Sequence, residues 1–326
     1  MNNEIFIEKY KKFGISEEDV YTYLGTIVRF EEYVKKDISE TTIKDIERYF
    51  EYLISIKENT YGNVVHFARY YYYINKKEEY IHMTKYFNSL GVLESILNRI
   101  TLYETKELQN QIIKNIDLPP FGLSSEELPK YTKDFMDKLS KYLPRVKCDR
   151  ILAGNNHKIP ESSFDKEKEY YSKSSSLKEY LRDKHVRKVE ELKHHLANNT
   201  VWFEQIITKE AIEYVESNQE ILSGIIENDK LYVTKIPYEI SKFLETNDEV
   251  LKRYYACHCS FVRENILKEN VDIPKEWCYC SAGFAKYPFE VILGKELNVK
   301  LLKTPIDGDY ICRFEIDLAD TGYKKL

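Results

Sequence analysis

Several features that would place a chain quickly are missing from this one. No apolar run approaches the roughly 20 residues that cross a bilayer, so a membrane span is not expected. Neither sign of charge dominates: 49 Lys and Arg stand against 54 Asp and Glu, a net charge of −5. The two signs are interspersed and no basic stripe appears, which argues against a nucleic-acid partner. The opening Met-Asn-Asn-Glu-Ile-Phe-Ile-Glu-Lys lacks the positive-then-apolar order of a secretory leader, so the cytoplasm is the expected compartment. Internal repeats and low-complexity tracts are absent. Tryptophan and methionine are scarce, at two and three residues, whereas tyrosine reaches 28.

What is present describes a globular protein. With 43% hydrophobic and 32% charged residues over 326 positions, the chain can build two or three cores. Residues 1–115 read as helices. Ser16-Glu17-Glu18-Asp19 matches a capping box, followed by Val20, Leu24, Ile27 and Val28 with Tyr23 and Phe30 beside them. Ile43, Ile46, Phe50, Leu53 and Ile54 repeat the helical spacing behind Ser39 and Thr41, and further helices are expected over 59–75, 78–88 and 91–109. Tyr70 to Tyr73 are consecutive, and one helix cannot bury four consecutive side chains, so at least one ring faces solvent or a ligand.

The clearest break is Asp117-Leu118-Pro119-Pro120-Phe121-Gly122-Leu123-Ser124-Ser125, because paired prolines stop a helix. Beyond it, Tyr131 to Leu143 reads as a helix ended by Pro144, and Cys148 to Pro160 as a polar loop carrying His157. A charged helix with Leu177, Leu181, Val186, Val189, Leu192 and Leu196 on one face follows. Leu231 to Pro237 reads as a short strand, and Phe284 to Leu293 as a helix closed by Gly294. Val299 to Thr304 and Tyr310 to Leu318 read as a hairpin turning at Pro305–Asp309, with Cys312, Phe314, Ile316 and Leu318 on its buried face. The expected class is α+β: a helical bundle over 1–116, a linker over 117–130, and a mixed domain over 131–326 with an antiparallel sheet and a cysteine-rich site.

That site is the one constellation with evident chemistry. Cys257-His258-Cys259 and Cys278-Tyr279-Cys280 bring four thiols and an imidazole within two dozen residues. An extended Cys-x-Cys puts its sulfurs about 7 Å apart on one side of the backbone, and two pairs can complete a tetrahedral four-cysteine site. Zinc is the expected ion, with Cys257, Cys259, Cys278 and Cys280 as ligands. His258 could replace one thiolate, and Cys312, better read as core, could be a fifth ligand. Reactive thiols and simple buried core thiols are the competing readings, since cysteine is often just a small hydrophobe. Arg263 could lower a neighbouring thiol's pKa or anchor a carboxylate ligand, or merely pair with a surface acid. His185, His194 and His195 fit helix-boundary roles, and Trp202 the edge of a core.

From Lys252 to Leu318, the order Cys-His-Cys, Trp277-Cys-Tyr-Cys-Ser-Ala-Gly-Phe, Phe289-Glu290-x-x-Leu293-Gly294 and Asp307-Gly-Asp-x-x-Cys312-Arg-Phe314 resembles an uncharacterised family of clostridial and related proteins. Its last part also resembles the small-molecule-binding domains named after bacteriochlorophyll 4-vinyl reductase, and the 2-aminothiazoline-4-carboxylate hydrolases. The first resemblance implies a ligand-binding or sensing domain that holds zinc through cysteines and an acid. Gly308, Asp309, Cys312 and Phe314 match that pattern, whereas its other ligand cysteine falls on Thr304. The second implies a thiol-dependent hydrolase, with one of the four paired thiols as nucleophile and His258 as base. The N-terminal helices are similar to the core-binding domains of tyrosine recombinases, although the catalytic set of such enzymes is absent, which leaves a DNA-associated regulator as the third expectation. The preferred expectation is a cytoplasmic, zinc-binding, small-molecule-binding or sensing protein; the oligomeric state is not legible.

Overall fold

A computed structural model of the chain describes residues 3–12, 14–268 and 271–324. Met1 and Asn2, which open the segment weighed above as a leader, lie outside them. The chain forms two compact units, each made of two separate stretches: Met1–Leu90 with Pro119–Glu127, and Gly91–Leu118 with Leu128–Leu326.

The N-terminal unit is all helix: α1 (Asn3–Lys12), α2 (Glu17–Val34), α3 (Ile43–Ser55), α4 (Tyr61–Tyr73) and α5 (Lys77–Lys85). Ser16 caps α2 by accepting the Asp19 N–H at 3.1 Å, which satisfies one of the donors a helix start leaves open. Val20, Leu24, Ile27 and Phe30 form its buried stripe, while Val28, about 100° further round the helix than Ile27, is 46% exposed. Neither Ser39 nor Thr41 starts α3. Ser39 belongs to a tight turn capped by Asp37, and the buried Thr41 hydroxyl bonds Tyr71 Oη at 2.8 Å. Thr42 is the cap, and the Asp45 carboxylate accepts both its N–H and its hydroxyl at 3.0 Å. The core is aromatic: Phe6, Phe30, Phe50, Phe67, Tyr70 and Tyr71 are fully buried. Of the tyrosine run, Tyr70 and Tyr71 face this core and Tyr72 turns outward, as the helical spacing requires.

The second unit opens with α6 (Val92–Arg99) and α7 (Lys106–Ile113), where one continuous helix was expected. A tight turn at Ile100–Leu102 divides them. The next helices are α8 (Leu128–Tyr142), which stops before Pro144, and α9 (Arg145–Leu152), which begins straight after it. The expected loop from Cys148 is therefore helical up to Leu152. Pro144 suits a helix start as well as a stop, having no N–H to satisfy. Cys148 is buried there, its thiol 3.5 Å from the Leu143 carbonyl and pushed up to about 11 by burial.

After α10 (Asp165–Lys173) and α11 (Leu177–Ala197) come the small hairpin β1 (Val201–Trp202) and β2 (Gln205–Ile206), then α12 (Lys209–Glu216). The buried face of α11 runs through Leu177, Tyr180, Leu181, Lys184, Val189 and Leu192, whereas Val186 and Leu196 are exposed. Trp202 fills a core edge and donates its indole N–H to Glu191 at 2.7 Å. The main sheet contains β3 (Ile225–Glu227) and β4 (Lys230–Thr234); after α13 (Ile240–Glu245), α14 (Glu249–Ala256), α15 (Asn265–Lys268) and α16 (Tyr279–Leu293), it is completed by β5 (Val299–Lys303) and β6 (Arg313–Asp317). Its order is β3-β4-β6-β5, antiparallel throughout. Leu231, Val233 and Ile316 point from its inner face onto Leu177, Tyr180 and Leu181 of α11 and Phe289 of α16. This is the α+β class the sequence suggested.

Candidate functional site

Neither Cys-x-Cys pair lies on a β-strand. Cys257 is the residue at which α14 ends, with Cys259 in the loop behind it. Cys278 closes a tight turn and Cys280 lies in the first turn of α16. Cys312 sits just ahead of β6, and its carbonyl accepts the N–H of Lys235, just past β4, at 3.0 Å. One pair leaves a helix and the other enters one, so the 7 Å spacing of extended chain does not apply to Cys278 and Cys280. The elements nonetheless bring all five thiols into one region, and all are free thiols.

Burial and neighbouring charge act on each thiol. Burial pushes Cys278 well above the ordinary thiol range, and charge on Cys312, Cys257 or Cys259 would push it further. Cys257 is raised by burial, then by Cys312 and Cys259. Cys312 is pushed up to about 11, chiefly by burial and against the pull of the Lys235 ammonium. Cys259 is raised by burial, although Trp277 Nε1–H donates to its sulfur at 3.2 Å and favours the thiolate. Charge on neighbouring thiols thus opposes the ionisation of Cys278, Cys257 and Cys312. Thr304, where the resemblance placed a ligand cysteine, is buried with its hydroxyl beside the Cys278 thiol, an interaction that favours the thiolate there.

Cys280 stands to one side. Its thiol is pushed up to about 12 by burial and by Cys259. Its sulfur lies 3.9 Å from His157 Nε2 and 3.9 Å from Asn156 Nδ2. Burial, and then the Lys235 charge, hold His157 neutral with a pKa lowered to about 4. The Phe284 ring packs edge-on against His157 at 5.3 Å, and Lys235 Nζ lies 5.1 Å from the same ring. The buried Asn156 Oδ1 has no partner. The sequence places His157 in a polar loop, and no spacing in it pairs that residue with Cys280.

His258 does not serve its neighbouring thiols. Its Nε2 bonds the Ile236 carbonyl at 2.5 Å and its ring meets Tyr238 edge-on at 5.2 Å. Arg263 is buried and paired with Glu239, its guanidinium 4.0 Å from the Tyr254 ring and 4.7 Å from that of Tyr238. It is thus neither a surface ion pair nor free to take a ligand carboxylate, and its effect on Cys257 is the smallest of those acting there. His185 meets the Glu216 carbonyl, 31 positions away, while His194 and His195 meet the nearby Asn198 and Thr200.

The donor set is soft, sulfur-rich and buried, a chemistry that suits zinc or another thiophilic cation. As the side chains stand, among the described residues no group of three or more His, Cys, Asp or Glu is arranged to hold one ion. No helix among the described residues is long and apolar enough to cross a membrane.

Fold and site together define an α+β chain with a buried thiol cluster on its C-terminal sheet. Residues 237–322, which hold the five thiols and the β5–β6 hairpin but not His157, match the model of a family of unknown function (DUF6144) and are similar to it. No curated protein and no solved structure matches the chain.

Proposed function

We propose that the C-terminal unit is a zinc-binding module of a reducing compartment, the cytoplasm, holding the ion through Cys257, Cys259, Cys278 and Cys312. Cys312 takes the place expected of Cys280, which faces the His157 loop and forms the flank on which a small molecule is bound or sensed. The observation that carries this reading is the gathering of free thiols in one region, with Cys257, Cys278 and Cys312 buried and Cys259 half-buried beside them. Such a set is costly as thiolates on its own, and a divalent cation supplies the compensating charge. The Trp277 N–H on Cys259 supports a thiolate there in the way that outer hydrogen bonds orient metal-bound sulfurs. The ion would have to draw the sulfurs closer together and release their protons.

A second reading is favoured by one contact. Cys280 and His157, 3.9 Å apart, are the thiol–imidazole pair of a thiol-dependent hydrolase, with His157 rather than His258 as base. One experiment separates the two. Protein purified without added metal should carry close to one zinc, and a chelator should lower the melting temperature of the C-terminal unit. Iodoacetamide should then label slowly until the metal is removed, with the four ligand thiols reacting together afterwards. Metal-free protein whose stability ignores chelator would sink the zinc reading. Fast labelling of Cys280 alone, lost in His157→Ala, would establish the hydrolase pair instead.

A further inference from the structure

The N-terminal unit carries an open cleft of about 290 Å³ that plays no part in the thiol chemistry. Its walls come from α1, α4 and α5 and the turn after α5, with Tyr10, Tyr61, Tyr72, Tyr80 and Phe87 as lining rings. Two edge-to-face or tilted pairs frame it: Tyr61 with Phe87 at 5.4 Å and Tyr72 with Tyr80 at 5.3 Å. The volume is at the low end of the about 300–1,000 Å³ usual for ligand pockets, enough for a small flat molecule.

One charged residue lines this cleft, and it is Arg69. Its guanidinium donates to Tyr23 Oη and lies over the Tyr23 ring at 5.1 Å. Among the described residues no carboxylate pairs with it. Lys9 adds a second cation at the rim, its Nζ 5.6 Å from the Tyr72 ring. After burial, the Arg69 charge is the largest influence on the Tyr10 hydroxyl, ahead of Tyr72, Tyr23 and Tyr80. Arg69 and Arg29 also help hold the neighbouring His66 neutral, after burial. At His66 the two guanidinium charges thus outweigh the smaller opposing pull of Asp19, in a chain whose overall charge is negative.

We infer that this cleft is a binding site for a planar aromatic carboxylate, with the ring between the tyrosine faces and the carboxylate on the Arg69 guanidinium. Each half of the ligand answers one feature of the wall. Tyrosine rings offer broad, stiff faces for offset or edge-on packing with another ring. A guanidinium fork matches a carboxylate with two parallel N–H bonds, which a lone ammonium does not.

The test uses the full chain and 2-naphthoate as probe, followed by its own fluorescence anisotropy and by calorimetry. Binding is expected with one site per chain. The neutral isostere 2-naphthamide should bind roughly tenfold or more weakly, and Arg69→Met should weaken naphthoate by a similar factor. Arg69→Lys should recover only part of the loss. Val65→Phe, which fills the cleft, should abolish binding while the thermal melt of the unit is kept, so that loss of site and loss of fold are told apart. Absence of naphthoate binding at millimolar concentration overturns the inference. Equal binding of acid and amide, or unchanged affinity in Arg69→Met and Val65→Phe, overturns it as well.

Discussion

Gly283 holds the thiol cluster to its flank. A Cβ built there would stand 2.5 Å from the Ala153 carbonyl carbon and 2.5 Å from the Gly154 oxygen, so helix α16 lies directly on the backbone that follows α9. That backbone continues into Asn156 and His157, and α16 carries Cys280, Ser281 and Phe284. A missing side chain at one position thus decides whether imidazole and thiol meet. Gly283→Ala is expected to destabilise the C-terminal unit by roughly 1–3 kcal/mol in denaturant titrations, as overpacking does. It should also separate Cys280 from His157, which would show as faster alkylation of Cys280 than in the parent. Unchanged stability and labelling would mean that the loop yields freely. Arg263 and His258 teach the converse. Both looked functional from their neighbours in sequence, and both are held by Glu239 and the Ile236 carbonyl, groups 24 and 22 positions away.

At the scale of elements, the start of α3 gives a pH-dependent expectation. Burial alone would raise the Asp45 carboxyl, but its hydrogen bonds from Lys36 and Thr42 outweigh this and lower it to about 2. The folded value lies below the about 3.9 of an unfolded aspartate. Its contribution to stability is therefore present above that value and is lost as pH falls through the folded one. Asp45→Ala should cost the N-terminal unit about 1–2 kcal/mol at pH 7, and the gap to the parent should shrink between about pH 4 and pH 2. A gap that stays constant over that range would show that the carboxylate does not hold the turn.

Elements of this kind were legible where local chemistry decides. Ser16 with Asp19, the stripe of Val20, Leu24, Ile27 and Phe30, the Gly294 stop and the alternation through Phe314 and Ile316 are all written in spacing. Spacing misled where two signals compete over a few residues. Ser39, Thr41 and Thr42 are all plausible caps, and only the Tyr71 hydroxyl, 30 positions from Thr41, removes one of them. Spacing suggested the meeting of Cys257, Cys259, Cys278 and Cys280 and left Cys312 to the core, whereas the influence of Cys312 on Cys257 and Cys278, and the contact of Cys280 with His157, depend on strand order and on the seat of α16.

For the whole molecule, the route of the chain matters more than any one contact. The polypeptide passes between the two units near Leu90, near Leu118 and near Glu127. Lys114, at the end of α7, is exposed and precedes the non-helical Asn115–Pro119. Trypsin is expected to cut there first, because exposed, irregular backbone is what a protease can bind. The segment Pro119–Glu127 should resist, since Phe121 packs toward Tyr61 and its carbonyl accepts the Asn59 amide. Both fragments would contribute to both units, so the nicked protein should elute intact from a sizing column and come apart only in urea. Fragments that separate without denaturant, or a first cut inside α1–α5, would contradict this.

The same route sets a schedule for synthesis. When Leu90 has left the ribosome, the N-terminal unit still lacks Phe121 and Gly122, whose backbone closes over the Phe50 ring. The next 28 residues to emerge, Gly91–Leu118, belong to the other unit and can find their partners only after Leu128 and beyond are made. Chains normally finish one domain before starting the next. This one must carry two unfinished units at once, and α6 and α7, with buried Leu93, Ile96 and Ile112, are the stretch a chaperone has the longest time to meet.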